Sequence, residues 1–412
     1  MNEPISYKAL KLSRAEAKVS LTSAFIVALR LFGLFMILPV FSIYALQLSG
    51  ANPMNIGLTL GLYGLAAMLF QPIFGYLSDH HGRLQLIAFG LVLFVVGSLT
   101  STFATSIYTM MGGRLLQGAG AIGSVMMALV ADHTRPNVRS KAMALIGMFI
   151  TFGFILAMIV SPILTHHLGL KGLFAVSSVL GLLALACVIF LPRTSRHQPK
   201  IGSSAIHVQP VRKLMLDPNT RILNVSVLFL HGFLIANFTV LPNLLTQNLH
   251  ISLSASWWLY LLTLIPAFIL MLVCIIIAEK YQLLKHMVIF CILLLTIAEI
   301  IFYTQLHYFP YAVAALVLFF TAFITLEALL PSWLTRLVAK EARGTALGIY
   351  ATCQFLGAFL GGCLGGYVAR SLPQEVFLYL TALGALWFIY ATQSKPKPVD
   401  AANDAGGAKK EP

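Results

Sequence analysis

The sequence predicts an all-α membrane protein of twelve transmembrane helices arranged as two six-helix halves. Three observations carry this. Of 412 residues, 59% are hydrophobic and only 10% charged, more apolar surface than a water-soluble domain hides. Apolar runs of about 20 residues, long enough to cross a bilayer as helices, recur from end to end. One long polar stretch, 192–220, interrupts them near the middle.

In order, residues 1–19 form a polar leading segment. The first apolar run is too long for a signal-peptide core, so no cleavable signal is expected. Spans 1 to 6 are read at 20–47, 54–78, 84–103, 107–131, 139–167 and 170–191, giving an N-terminal half over 20–191. The linker 192–220 holds four prolines and several basic residues and reads as solvated chain. Spans 7 to 12 are read at 221–248, 254–279, 284–305, 309–337, 343–369 and 375–392, a C-terminal half over 221–392. The tail 393–412, with Gly406-Gly407 and Lys409-Lys410, reads as disordered.

Charge is sided. With both termini and the linker on one face, 23 of the 27 Lys and Arg fall there, Lys171 and Arg370 fall opposite, and Arg30 and Arg114 lie within spans. That bias makes the basic face cytoplasmic. It also explains the net charge of +14 as attraction to an anionic leaflet, so no nucleic acid partner is expected. The five cysteines lie in apolar runs without ligand spacing, which points to packing residues rather than disulfides or a metal site.

The halves repeat weakly at an offset near 200. Ala128-Leu129 matches Ala328-Leu329, and Arg139 with Ala142 matches Arg343 with Ala346. Two parallel six-helix repeats fit this. The second copy of the loop between spans 2 and 3, around Glu279-Lys280-Tyr281, is eroded.

That loop carries Gly75, Leu77, Asp79, Gly82 and Arg83. Gly75 suits close helix approach and Gly82 a permissive turn. A carboxylate and a guanidinium at the lipid boundary are costly unless paired or functional. The pattern Gly-x-Leu-x-Asp-x-x-Gly-Arg resembles the signature loop of the major facilitator superfamily, although Leu84 and His80 stand where that family favours basic residues. Arg114-x-x-Gln117-Gly118 is similar to a second motif of the family. Arg30 to Pro39 in span 1, His231, Glu327 to Ser332 and Gln354 to Gly357 resemble the YajR-like branch of its drug/proton antiporter-type transporters. The antiporter signature of span 5 is degraded, with Ser161-Pro162 where the family has Gly-Pro.

The resemblance implies a major facilitator fold working by alternating access. A central cavity would be lined by spans 1, 4, 5, 7, 8, 10 and 11. Asp79 would meet the start of span 11 near Gly344, and Arg83 would reach Asp132, together stabilising the outward-facing state. Arg114 would take part in proton coupling.

Arg30 lies about ten residues, ~15 Å, from either end of its span, too far to snorkel. It is a candidate to attract an anionic substrate or to keep a carboxylate deprotonated. Glu327, before Pro331, is a proton carrier or a protonated structural acid. Asp132 is the alternative carrier. Glu299 ranks lower, since span 9 is peripheral in this fold and would face lipid. His231, Asn237, Asn243 and Gln354 are candidate cavity-lining groups. Gly57 and Gly61, with Gly357, Gly361, Gly362, Gly365 and Gly366 in span 11, form Gly-x-x-x-Gly patterns for close packing.

No phosphate loop, nucleophile elbow or metal-ligand cluster appears in the sequence, so no enzyme activity and no cofactor are expected. The reading is a monomeric secondary transporter whose partners are a small-molecule substrate, protons and the bilayer. Proton-coupled export across the inner membrane is expected. The alternatives are uptake of a metabolite or nutrient, and a transport-inactive receptor or scaffold.

Overall fold

A computed structural model describes residues 11–192, 214–338 and 342–394. Most of the linker and of the tail lies outside them. The described residues form long helices, and the single β-bridge, Ser49 with Ser106, ties the loops before spans 2 and 4.

Span 1 is the helix Arg14–Phe35 continued by Leu38–Tyr44. Pro39 at the second helix's first turn cannot donate back, which breaks the run there. Span 2 is Pro53–His81, capped by the Asn52 side chain on Asn55 N at 2.9 Å. Span 3 is Arg83–Thr102. Span 4 is also broken, into Ile107–Ala119 and Gly123–Asp132.

One continuous helical run, Pro136–Cys187, covers spans 5 and 6. At about 1.5 Å per residue it is far longer than a single crossing needs. It folds back at Gly169, whose φ of 64° favours glycine. Spans 7 to 12 are Pro218–Asn248, Ser256–Lys280, Leu284–Gln305, Phe309–Leu337, Arg343–Val368 and Glu375–Gln393. The twelve crossings stand as expected.

Two starts are earlier than the apolar pattern shows. Span 1 begins at Arg14 because Ser13 and Glu16 form a reciprocal capping box. Span 7 begins at Pro218 because Asp217 caps it through Asn219 N.

The halves meet along a seam of small residues. A Cβ on Gly57 or Gly61 of span 2 would strike the backbone of Gly362, Gly366 and Phe359 in span 11. Further along, Gly64 abuts Phe355 and Ala358. Within the C-terminal half, Gly357 and Gly361 press equally tightly on Leu228 and Gly232 of span 7. The seam runs from the face holding Asn52 to mid-depth. Towards the opposite face, which holds Arg83 and Asp132, Gly344 and Gly348 of span 11 have nothing within 4 Å. The halves are therefore closed against each other at the Asn52 face, whereas at the Arg83 end of span 11 the glycines face open space.

Candidate functional site

Three arrangements of polar groups stand out, and each is built from several spans.

At the Arg83 face, Gly82 has φ 99° and ends one helix while starting the next, as its place in the turn requires. The turn aims Arg83 back at its neighbours. Its Nη1 lies 2.5 Å from Asp79 Oδ1 and donates to Ser78 Oγ at 2.6 Å, while Nε donates to Asp132 Oδ2 at 3.2 Å. Arg83 thus joins the ends of spans 2 and 4. Asp79 is bonded to Arg83 here, and no bond to the start of span 11 near Gly344 is seen among the described residues, where a Cβ on Gly344 would meet open space. Gly75 is not at a close approach either: a Cβ there would meet only Ser124 Oγ, at 3.8 Å.

Beside this turn is a clasp the sequence reading missed. Glu16 accepts from Arg135 N and Nε at 2.9 Å each, from Arg135 Nη2 at 3.0 Å and from Ser13 N at 2.8 Å. Arg135 Nη2 also donates to Lys11 O at 2.9 Å. The lead into span 1 is thereby fastened to the turn after Asp132. The Ser-x-x-Glu signature was the available signal. In the C-terminal half, the eroded second loop keeps an ion pair of reversed polarity, Glu279 with Arg336 at 2.5 Å.

The second arrangement lies in the N-terminal half. Arg30 and Arg114 are buried, 5% and 2% exposed, and no carboxylate pairs with either among the described residues. Neutral groups solvate them. Arg30 Nη2 donates to Tyr63 Oη at 2.9 Å and to Gln117 O at 3.4 Å; Arg114 Nη1 donates to Gln117 Oε1 at 2.7 Å. Gln117 passes the chain on to Ser98 Oγ at 2.8 Å. Both guanidiniums lie over the Tyr63 ring, at 5.9 and 5.0 Å, and Arg30 also over Phe94 at 5.4 Å. Tyr63 was not foreseen; a tyrosine in an apolar run carries no distinguishing signal.

The third lies in the C-terminal half and joins spans 7, 10 and 11. Gln354 Nε2 lies 2.8 Å from His231 Nε2 and donates to Glu327 Oε1 at 3.4 Å. A side-chain amide nitrogen only donates, so His231 Nε2 accepts and its proton sits on Nδ1, 3.3 Å from Val227 O. His231 Nε2 is 3.6 Å from Glu327 Oε2, an oxygen that is buried without a hydrogen-bond partner. The rest of the Glu327 side chain keeps 33% of its surface open. Tyr350, one turn before Gln354, has its hydroxyl buried and unpartnered.

An aromatic file bridges the halves beside this cluster: Phe35 to Phe154 at 5.1 Å, Phe154 to Phe323 at 5.7 Å, and Phe323 to His231 at 5.8 Å. Tyr63 meets Phe355, the neighbour of Gln354, at 6.3 Å.

His231, Glu327 and Gln354 are therefore brought together, as are Arg30 and Arg114. Arg30 does not stand beside Glu327 as a counter-ion; it is turned into its own half by Tyr63 and Gln117. Asn243 is not brought to the cluster and bonds locally to Gln247 Nε2 at 3.2 Å. Asn237 does not line a cavity: it is fully buried against Glu299, whose Oε1 accepts from Asn237 Nδ2 at 2.7 Å. Glu299 likewise faces the interior, not lipid.

Comparison with known proteins agrees with the architecture. A family model described as Major Facilitator Superfamily matches residues 23–240 and 223–412. The Escherichia coli (strain K12) inner membrane transport protein YajR is 37% identical over 94% of this chain and 86% of its own. An uncharacterized transporter of Buchnera aphidicola subsp. Baizongia pistaciae is 31% identical over 93% of this chain and 98% of its own. An Escherichia coli (strain K12) arabinose-proton symporter is 28% identical over 36% of this chain and 31% of its own. The solved nucleoside transporter NupG superposes with a TM-score of 0.72 at 15% identity, covering 93% of this chain and 100% of that one. That likeness is one of fold.

Proposed function

The chain belongs to the major facilitator superfamily, and from that premise we propose that it exchanges protons for a small molecule across the inner membrane, exporting the molecule. One observation carries the proton-coupled reading. Glu327 Oε2 is buried without a donor, 3.6 Å from His231 Nε2, and both residues hang on the amide of Gln354. A single proton added there supplies the missing donor and changes the bonding of three spans at once. Charge movement across the full membrane potential is worth ~2.3 kcal/mol per 100 mV, enough to bias a two-state rearrangement.

The ligand side is supplied by the aromatic file and the N-terminal half. Two buried guanidiniums with no carboxylate among the described residues favour a substrate with an acidic or electron-rich group. The aromatic rings favour an apolar body. Together they suit a small amphipathic molecule. The Arg83 face would be cytoplasmic by the charge bias, so the halves would be open inward here. Single cysteines introduced at Lys200 and at Asn52, in a background without native cysteines, would react from the cytoplasm and from outside respectively.

Export follows the branch resemblance. Uptake is the second reading, favoured by the partial likeness to the arabinose-proton symporter. The test is flux in proteoliposomes, using a ligand selected by thermal shift on the purified protein. Glu327→Gln should lose the response to an imposed pH gradient and keep ligand binding and downhill exchange. A full gradient response in that variant would make Glu327 structural.

A further inference from the structure

Glu299 is embedded mid-span in the C-terminal half, is 0% exposed, and takes part in none of the ion pairs among the described residues. One side chain bonds it: Asn237 of span 7, whose Nδ2 donates to Glu299 Oε1 at 2.7 Å and to Phe233 O at 2.9 Å. Two acceptor atoms of this couple are left over. Glu299 Oε2 and Asn237 Oδ1 are both buried and both lack a donor.

An ionised Glu299 leaves both oxygens unsatisfied and a charge held by one neutral donor in an apolar setting, which is a costly arrangement. Among the described residues no cation pairs with Glu299. Three charged groups of span 9 and its neighbours are engaged elsewhere: Glu327 with His231 and Gln354, Arg336 with Glu279, and Lys285 with Ser394 O. The Thr296 hydroxyl is used on Ile292 O. One turn on, Phe302 packs on Phe319 of span 10 and Phe377 of span 12. The Asn237 amide cannot be turned over without setting its oxygen against Phe233 O, to which Nδ2 now donates at 2.9 Å. A single proton on the carboxyl satisfies both leftover oxygens, because a protonated glutamate is itself a donor.

We infer that Glu299 is a resident proton-binding site, a neutral carboxylic acid whose Oε2–H donates to Asn237 Oδ1 while Asn237 Nδ2 donates to Glu299 Oε1. This reciprocal pair fastens span 9 to span 7. Both spans belong to the same half, so the pair need not break when the halves move, and the proton stays. The two embedded glutamates of this half therefore differ: Glu299 keeps its proton, whereas Glu327 is partly open to the interior space. The inference stands whether or not Glu327 is the carrier.

Infrared spectroscopy of the full chain in lipid tests it. The wild-type minus Glu299→Gln difference should contain a protonated-carboxyl carbonyl band that persists when the pH is raised well past the ordinary glutamate range. Asn237→Ala should shift that band, and Glu327→Gln should leave it in place. Glu299→Gln should melt like wild type, since an amide donates where the acid did. Glu299→Ala should melt lower. Absence of the alkali-resistant band overturns the inference, as does a Glu299→Gln protein as unstable as Glu299→Ala. Loss of gradient-driven flux in a stably folded Glu299→Gln protein would mean that the proton exchanges, and overturns it too.

Discussion

Gln354 Nε2 lies 2.8 Å from His231 Nε2, so one amide of span 11 fixes the tautomer of an imidazole on span 7. The other hydrogen of that amide serves Glu327 on span 10. The amide is thus a positioning group for both titratable partners.

Replacing Gln354 by Ala removes both bonds. A buried group left unpaired costs about 1–3 kcal/mol, so gradient-driven flux should fall roughly tenfold or more. Glu327→Gln in the same background should add little, since the two act as a unit. Flux of the single and double variants in proteoliposomes checks this; additive losses would count against a shared site.

The glycine seam predicts a conformational effect. Gly362→Val places methyl groups against the backbone of Gly57 and Gly61, an overpacking cost of about 1–3 kcal/mol paid only when the Asn52 face is closed. The variant should populate the alternative state, read as higher reactivity of a cysteine at the Asn52 end. Gly348→Val, where the side chain meets open space, should leave that reactivity unchanged.

At the other face, Asp79 is 37% exposed and Arg83 18%. Ion pairs of this exposure contribute about 0–1 kcal/mol, so Asp79→Asn should alter melting only slightly. Its larger effect is expected on turnover, because the resemblance makes Asp79 a latch for span 11 in the opposite conformation. Flux should drop while expression holds and accessibility shifts towards the present state. Wild-type flux would rule the latch out.

Glu16 receives four hydrogen bonds from Ser13 and Arg135. Glu16→Gln cannot accept them all. The variant should melt lower and release the lead of span 1, seen as faster proteolysis near Lys11. Arg135→Lys should not rescue it, because an ammonium cannot reproduce the forked contact.

The spans were legible because lipid forces each backbone polar group into a helix. The turn at Gly82 was legible because small and charged residues at a lipid boundary need a reason, and the Arg83–Asp132 contact was legible through the resemblance of the loop to the family signature. What faces what was less so. A helix that is apolar all round does not say which side meets lipid and which meets protein. Glu299 was placed towards lipid because span 9 is peripheral in the resembled fold, and only its contact with Asn237, 62 residues away in sequence, reverses it. Tyr63 was invisible for the same reason. The early start of span 1 was written in Ser13 and Glu16, but hydropathy does not register a cap.

The two ends of this transporter carry different kinds of contact, so the surroundings reach them unequally. At the Asn52 face the closure is one of shape, backbone against backbone, and none of the ion pairs among the described residues takes part in it. At the Arg83 face the contacts are ionic and partly wet, and salt weakens such contacts over about 10 Å at 0.1 M. Ionic strength and the lipid surface charge on one side of the membrane thus act on the ion pairs within each half, whereas the packing at the far side offers them little to act on.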